Sequence, residues 1–215
     1  MLPSQITTVA TAAGPHVFWL ASRAAGIVAL ILASVSVAVG LLMSTQKGLG
    51  GRLRRFGGAE LRVAHEALSL AVLGALAVHG LTLLGDSYLH PSLADVALPF
   101  VSSYKTFWTT AGIVAFWALA LLGLSYYLRA RIGVQRWRRL HRLTAAAWLL
   151  GLIHSLGEGT DAGRTWFLVM TAIVVLPALA LLFARWWDRS AESPRRAEAH
   201  PHGAGASPRA AAERP

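Results

Sequence analysis

The sequence contains no cysteine, and only 14% of its 215 residues are charged. Without cysteine the chain cannot form a disulfide, a thiolate zinc site or an iron–sulfur cluster. The low charge content excludes an ordinary soluble domain, in which about a quarter of the residues are charged. A disordered chain is excluded as well, because 55% of the residues are apolar. Because cysteine is absent, any metal must be held by histidine, methionine or oxygen ligands.

The apolar residues are collected in long runs. A bilayer core of about 30 Å requires about 20 apolar residues in a helix. Five stretches approach this length, at residues 17–43, 61–84, 106–128, 140–156 and 165–187. The sequence therefore predicts an all-α fold, a polytopic membrane helix bundle of about five transmembrane helices.

The charged residues between these stretches predict the orientation of the chain. Basic residues dominate the segments after the first, third and fifth stretches, with six arginines and no acidic residue in 129–142. Positively charged loops remain in the cytoplasm. We therefore predict a multi-pass protein of the cell membrane with an external N-terminal segment (1–16), a membrane domain (17–187) and a disordered cytoplasmic tail (188–215). The net charge of +10 then reflects topology and contact with membrane lipid, and we expect no nucleic-acid partner.

Four of the eight histidines lie inside the predicted spans, His65 and His79 on the second and His141 and His154 on the fourth. Ionisable side chains are costly in hydrocarbon and usually mark function. The spacings within the two spans correspond to roughly 21 and 20 Å of helical rise. Because the two spans run in the same direction, His65 lies at the depth of His141 and His79 at the depth of His154.

The two imidazoles of each such pair could lie on opposite sides of a flat macrocycle held between the helices. A zinc site is disfavoured because it needs about four close ligands. A proton relay is disfavoured because such relays usually include carboxylates at membrane depth, and only Glu66 comes near. In a straight helix His141 and His154 would not share a face, so we expect a bend or local unwinding near Gly151, or two macrocycles rotated relative to each other.

The pattern His65-x13-His79 with His141-x12-His154 resembles the ferric reductase-like transmembrane domain. That domain is shared by ferric-chelate reductases, NADPH oxidases and the haem-bearing membrane subunit of the bacterial methionine sulfoxide reductase system. The resemblance implies two stacked b-type haems (haem b), the inner one ligated by His65 and His141 and the outer one by His79 and His154. It also implies that Arg23 lies near the propionates of the outer haem. The alternative for Arg23 is extension to the external interface.

The resemblance further implies transmembrane electron transfer, from a cytoplasmic or membrane donor to an external acceptor. Many relatives continue into a flavin and nicotinamide domain, for which residues 188–215 are too few. The implied donor is therefore a separate flavin-containing reductase or a quinol, and the implied acceptor is ferric iron, oxygen or a flavoprotein. Two imidazoles fill both axial positions of an iron, so we expect an oxidoreductase component that relays electrons rather than a catalyst acting at the metal.

Two other interpretations remain open from the sequence. One is a cytochrome b561-like, quinol-linked subunit with two haems, in which histidine pairs also bridge helices. The other is a haem-free membrane transport or structural protein, whose histidines join helices or pass protons. The helix pairing and the haem content distinguish these alternatives.

Overall fold

The computed structural model describes residues 4–45 and 48–198, and the regular structure in this part of the chain is helical. The helices are α1 (Ser4–Ser44), α2 (Gly48–Leu83), α3 (Leu93–Ala97), α4 (Thr106–Leu124), α5 (Arg129–Ile132), α6 (Val134–His141), α7 (Thr144–Glu158) and α8 (Thr165–Glu198). A 3-10 turn at Ser125–Leu128 joins α4 to α5. The fold class is thus the all-helical bundle that the apolar runs predicted.

Four segments of the described chain are long and apolar enough to cross a membrane: His16–Ser44, Gly57–Leu83, Thr106–Ile132 and Thr165–Trp187. They coincide with the first, second, third and fifth stretches predicted from the sequence. Large apolar side chains on these segments point outward, and Leu121 and Ile173 are both 68% exposed. Helices that are apolar all round are typical of membrane spans, where lipid takes the place of a protein neighbour.

The fourth predicted stretch differs, because it is not one continuous helix. α7 has 15 residues, and at 1.5 Å per residue it is only about 22 Å long, less than the bilayer core. α6 ends at His141 and α7 begins at Thr144. Between them the chain makes a tight turn, in which the Leu143 amide donates to the Leu140 carbonyl (2.9 Å).

The helical run between His141 and His154 is interrupted at this break and not at Gly151. Gly151 lies inside α7, one of the regular helices. At the break the Thr144 hydroxyl donates to the His141 carbonyl (2.7 Å), and so satisfies an acceptor that a helix end leaves free. The bend expected near Gly151 is therefore not found, and the helical run is interrupted instead at Arg142 and Leu143, next to His141.

The helix ends also differ from the predicted segment boundaries. α1 begins at Ser4, so most of the predicted N-terminal segment 1–16 is helical. α8 continues to Glu198, so residues 188–198 extend this helix instead of beginning a disordered tail. The remainder of the predicted tail, residues 199–215, lies outside the described residues.

The core of the bundle is centred on Trp148, which is 1% exposed. It packs with apolar side chains of α1, α2 and α8, namely Ala33, Val72, Val175 and Ala178. Its indole Nε1 donates to the hydroxyl of Ser34 (3.1 Å), which in turn donates to the Leu30 carbonyl (2.7 Å). The indole is thus both packed and hydrogen-bonded, as a buried tryptophan requires.

Trp148→Ala is expected to lower the free energy of unfolding by about 3–5 kcal/mol, because it leaves a large cavity in the core and removes the hydrogen bond that Ser34 accepts. Thermal melting of the purified protein in detergent measures the effect. The control is Ile173→Ala, which truncates an outward-facing side chain and is expected to change the melting temperature little. Equal melting temperatures for the two variants would contradict the assignment of Trp148 to the core.

Candidate functional site

The structure brings the four intramembrane histidines together in two pairs. His65 and His141 have ring centroids 6.2 Å apart and ring planes at 90°, and we call them the first pair. His79 and His154 have centroids 6.3 Å apart and planes at 72°, and we call them the second pair. α2 supplies one histidine to each pair, and the partners come from the end of α6 and from α7. These are the pairs predicted from the sequence, in which the two histidines of each pair lie at the same depth in the membrane.

These separations suit two imidazoles on opposite sides of one metal ion. A metal–imidazole bond is about 2.0 Å long and the bonding nitrogen lies about 1.2 Å from the ring centre, so a linear arrangement separates the centroids by about 6.4 Å. The observed 6.2 and 6.3 Å agree with this distance.

Each pair supplies two ligands and no more within the described residues. No group of three or more histidine, cysteine, aspartate or glutamate side chains close enough to hold a metal ion occurs there. A metal in either pair would therefore need its remaining ligands from groups other than these side chains, such as the nitrogens of a bound macrocycle. In the described chain, α2 and α7 do not pack closely backbone to backbone, which is the arrangement that a flat group between them requires.

Three of the four histidines are oriented by the same type of contact. Their Nδ1 atoms face backbone carbonyls, His79 with Ser22 (2.8 Å), His65 with Ser36 (3.0 Å) and His154 with Trp108 (2.9 Å). Because a carbonyl only accepts, Nδ1 carries the proton and donates it. The lone pair then lies on Nε2, the nitrogen available to a metal, and such a backbone contact is typical of metal-binding histidines.

Glycines lie where these three rings approach the neighbouring helix. A Cβ atom added at the glycine would lie 3.0 Å from His79 for Gly26, 3.1 Å from His65 for Gly40 and 2.6 Å from His154 for Gly112. Real Cβ atoms essentially never come closer than 3.0 Å to a non-bonded atom. Any larger residue at Gly112 would therefore displace the His154 ring.

Helix α1 contains the same sequence unit twice, a serine whose carbonyl accepts from a histidine and, four residues later, a glycine next to that histidine ring. Ser22-x3-Gly26 holds His79 and Ser36-x3-Gly40 holds His65, and the two units are 14 residues apart, like the two histidines on α2. The serine hydroxyls add contacts, since Ser22 Oγ lies 3.1 Å from His79 Nδ1 and Ser36 Oγ lies 3.3 Å from His65 Nδ1. We did not identify this unit from the sequence, although its spacing was visible there.

His141 is held differently from the other three. Its Nδ1 is buried and makes no hydrogen bond of ordinary geometry with the described residues. Its ring instead stacks on Trp137, with centroids 4.9 Å apart and planes at 25°. Trp137 is fixed in turn by its Nε1, which donates to Ser125 Oγ (3.1 Å). In the first pair, His65 thus has a carbonyl at hydrogen-bond distance and His141 has a stacked tryptophan ring.

Arg23 forms a two-point ion pair with Asp161, from Nε to Oδ2 and from Nη2 to Oδ1, both at 2.5 Å. The side chain of Asp161 is 9% exposed and that of Arg23 is 32% exposed. Asp161 was not among the residues selected from the sequence, because the two positions are 138 residues apart. Arg23 also directly follows Ser22, and it therefore lies next to the contact that orients His79.

One further carboxylate lies near this end of α7, at Glu158. Burial raises the pKa of the Glu158 carboxyl above its usual value, and the charge of Lys105 opposes this increase. The Glu158 Oε2 atom is buried with no hydrogen-bond partner among the described residues. Of the acidic groups described here, Asp161 is therefore the one that is paired with a cation.

Residues 25–152 match a protein family described as the ferric reductase like transmembrane component. The matched segment contains His65, His79 and His141 and ends just before His154, and Arg23 lies just outside its other end. Neither the curated proteins nor the solved structures contain a match to the chain. Domains of this type are generally haem-binding and suggest electron transfer in a membrane. Because the match covers more than half of the sequence, the chain belongs to the family of ferric reductase-like transmembrane components.

Proposed function

We propose that this protein carries single electrons across a membrane through two b-type haems, one in each histidine pair. The observation that carries the proposal is the pairing itself, with centroid distances of 6.2 and 6.3 Å. His65 and His141 are the ligands at one level, and His79 and His154 are the ligands at the other. Family membership supports haem as the group held there.

Haem iron in these positions supplies reversible one-electron oxidation and reduction. The chain's own residues hold and orient the imidazoles. The carbonyls of Ser22, Ser36 and Trp108 keep a proton on Nδ1 and so present Nε2 as the ligand atom. With His65 and His141, or His79 and His154, both bound to one haem iron, no ligand position would remain for a substrate, and the protein would act as a relay.

The arrangement of charges supports a direction across the membrane. The arginine-rich segment 129–142 includes His141 and therefore lies at the level of the first pair. Basic segments remain in the cytoplasm. We therefore place the first pair on the cytoplasmic side of the cell membrane and the second on the external side, with an external N-terminus and a cytoplasmic C-terminus. The donor is a separate flavin-containing reductase or a quinol, and the acceptor is ferric iron, oxygen or a flavoprotein.

The haem-to-protein ratio of the purified full-length chain tests this function. Two haems per chain, with the bands of b-type haem in the reduced-minus-oxidised spectrum, are the expected result. A ratio of zero after expression with adequate haem supply would overturn the proposal and favour the haem-free alternative. The ratio is measured on the detergent-solubilised protein, with protein concentration taken from amino-acid analysis.

A further inference from the structure

An open cavity of about 360 Å³ lies at the second-pair end of the bundle. It is lined by Trp19, Arg23, Thr160, Asp161, Arg164 and Trp166. Its volume is within the range of small-molecule sites, about 300–1,000 Å³. The lining combines two indole rings with charged groups, which is a composition suited to a ligand with both an apolar face and a charge.

The charges of the cavity favour an anion. Arg23 and Asp161 neutralise each other through their two-point ion pair. Arg164 forms no ion pair within the described residues and is exposed. One positive charge is therefore left over, carried by a planar guanidinium that can donate two parallel hydrogen bonds to a carboxylate.

The cavity is also connected to the second histidine pair through a short path. Trp19 and Arg23 lie one turn apart on α1, and the Arg23 guanidinium lies 5.1 Å from the centre of the Trp19 ring. Ser22, between them, accepts the hydrogen bond of His79 Nδ1 (2.8 Å) through its carbonyl. A molecule in the cavity would thus be connected to His79 through Arg23, the adjacent Ser22 and one hydrogen bond.

From these observations we infer that the cavity binds a small carboxylate-bearing electron acceptor, with Arg164 as its anion-binding residue and the two tryptophans as its apolar walls. This inference rests on the proposed function, and it adds a small organic anion to the acceptors named for the same pathway. The acceptor is the oxidant, and it gains one electron for each electron that the second site loses. The cavity residues form and break no covalent bond in this exchange.

The experiment compares two probes of the same shape, anthraquinone-2-carboxylate and the neutral anthraquinone-2-carboxamide. Their affinities are measured by isothermal titration calorimetry on the oxidised full-length protein in lipid nanodiscs. We expect Arg164→Gln to weaken binding of the carboxylate about tenfold, because glutamine lacks the charge and the second parallel hydrogen bond of the partly exposed guanidinium. Binding of the carboxamide is expected to be equal in the two proteins. The matched control is Arg131→Gln, an exposed arginine of α5, which is expected to leave both affinities unchanged.

Equal affinity of the carboxylate for the native and Arg164→Gln proteins would overturn the inference. A carboxylate of a haem propionate is the other source of the same chemistry, and it is distinguished by the midpoint potentials of the haems. If Arg164→Gln shifts a midpoint potential and leaves probe binding unchanged, Arg164 serves a propionate and the inference is wrong. The haem-to-protein ratio of the same samples separates failure of the anion site from failure of the proposed function. A protein that contains no haem but still binds the carboxylate probe would contradict electron transfer and leave the anion site supported.

Discussion

The His154→Ala variant is expected to bind half as much haem as the native protein, one group per chain instead of two. The substitution removes one of the two imidazoles of the second pair, and His79 is left without a partner 6.3 Å away. The first pair lies about 20 Å along the helices from this change, so its haem is expected to remain. The haem-to-protein ratio and the reduced-minus-oxidised spectrum measure the result.

The same variant is expected to lose electron flux across proteoliposome membranes, since one remaining centre does not cover a barrier of about 30 Å. His16→Ala is the matched control, because His16 is exposed and belongs to neither pair. The spectrum of the haem that remains in His154→Ala reports that the bundle is intact. Full haem content in His154→Ala would exclude this residue as a ligand.

The Gly112→Val variant is expected to lose the haem of the second pair without any change to a histidine. A Cβ atom at position 112 would lie 2.6 Å from His154 Nδ1 and 2.7 Å from its Cε1. The ring must then rotate, and its hydrogen bond to the Trp108 carbonyl (2.9 Å) is lost. Because this contact fixes the ligand nitrogen, we expect the haem-to-protein ratio to fall from two to one.

Gly123→Val is the control for this experiment, since it makes the same change on the same helix. A Cβ atom at Gly123 would meet no other atom within 4 Å, and valine is a better helix former than glycine by a few tenths of a kcal/mol. Gly123→Val is therefore expected to keep both haems. If Gly112→Val also kept both, the close approach of α4 to His154 would have no part in holding the second site.

The membrane fold could be predicted from the sequence because hydrocarbon imposes a simple rule on long helices. Runs of apolar residues identified the spans that end at Ser44, Leu83 and Trp187 within one residue. The rule did not detect the interruption between α6 and α7, because no glycine or proline marks it. The signal that was available is Thr144, whose hydroxyl satisfies the carbonyl of His141 at the break.

The histidine pairs were predicted because depth in a membrane is set by residue number along each span. That argument needs no knowledge of side-chain contacts, and the structure places the same residues 6.2 and 6.3 Å apart. The groups that orient the rings could not be obtained in this way. Ser22 and Trp108 contribute backbone carbonyls, which every residue possesses, and Asp161 meets Arg23 only after the loops have folded.

The two Ser-x3-Gly units of α1 and the histidines of α2 have a consequence for how fast the proposed relay can run. The interval between the levels is 14 residues on both helices, or about 21 Å of backbone rise. Exchange of side chains leaves this interval unchanged, whereas an insertion or deletion between the two levels alters it. The rate of electron tunnelling falls off exponentially with distance, so the antiparallel helices α1 and α2 limit the rate of transfer between the two levels. One extra turn in each helix would lengthen the interval by about 5 Å.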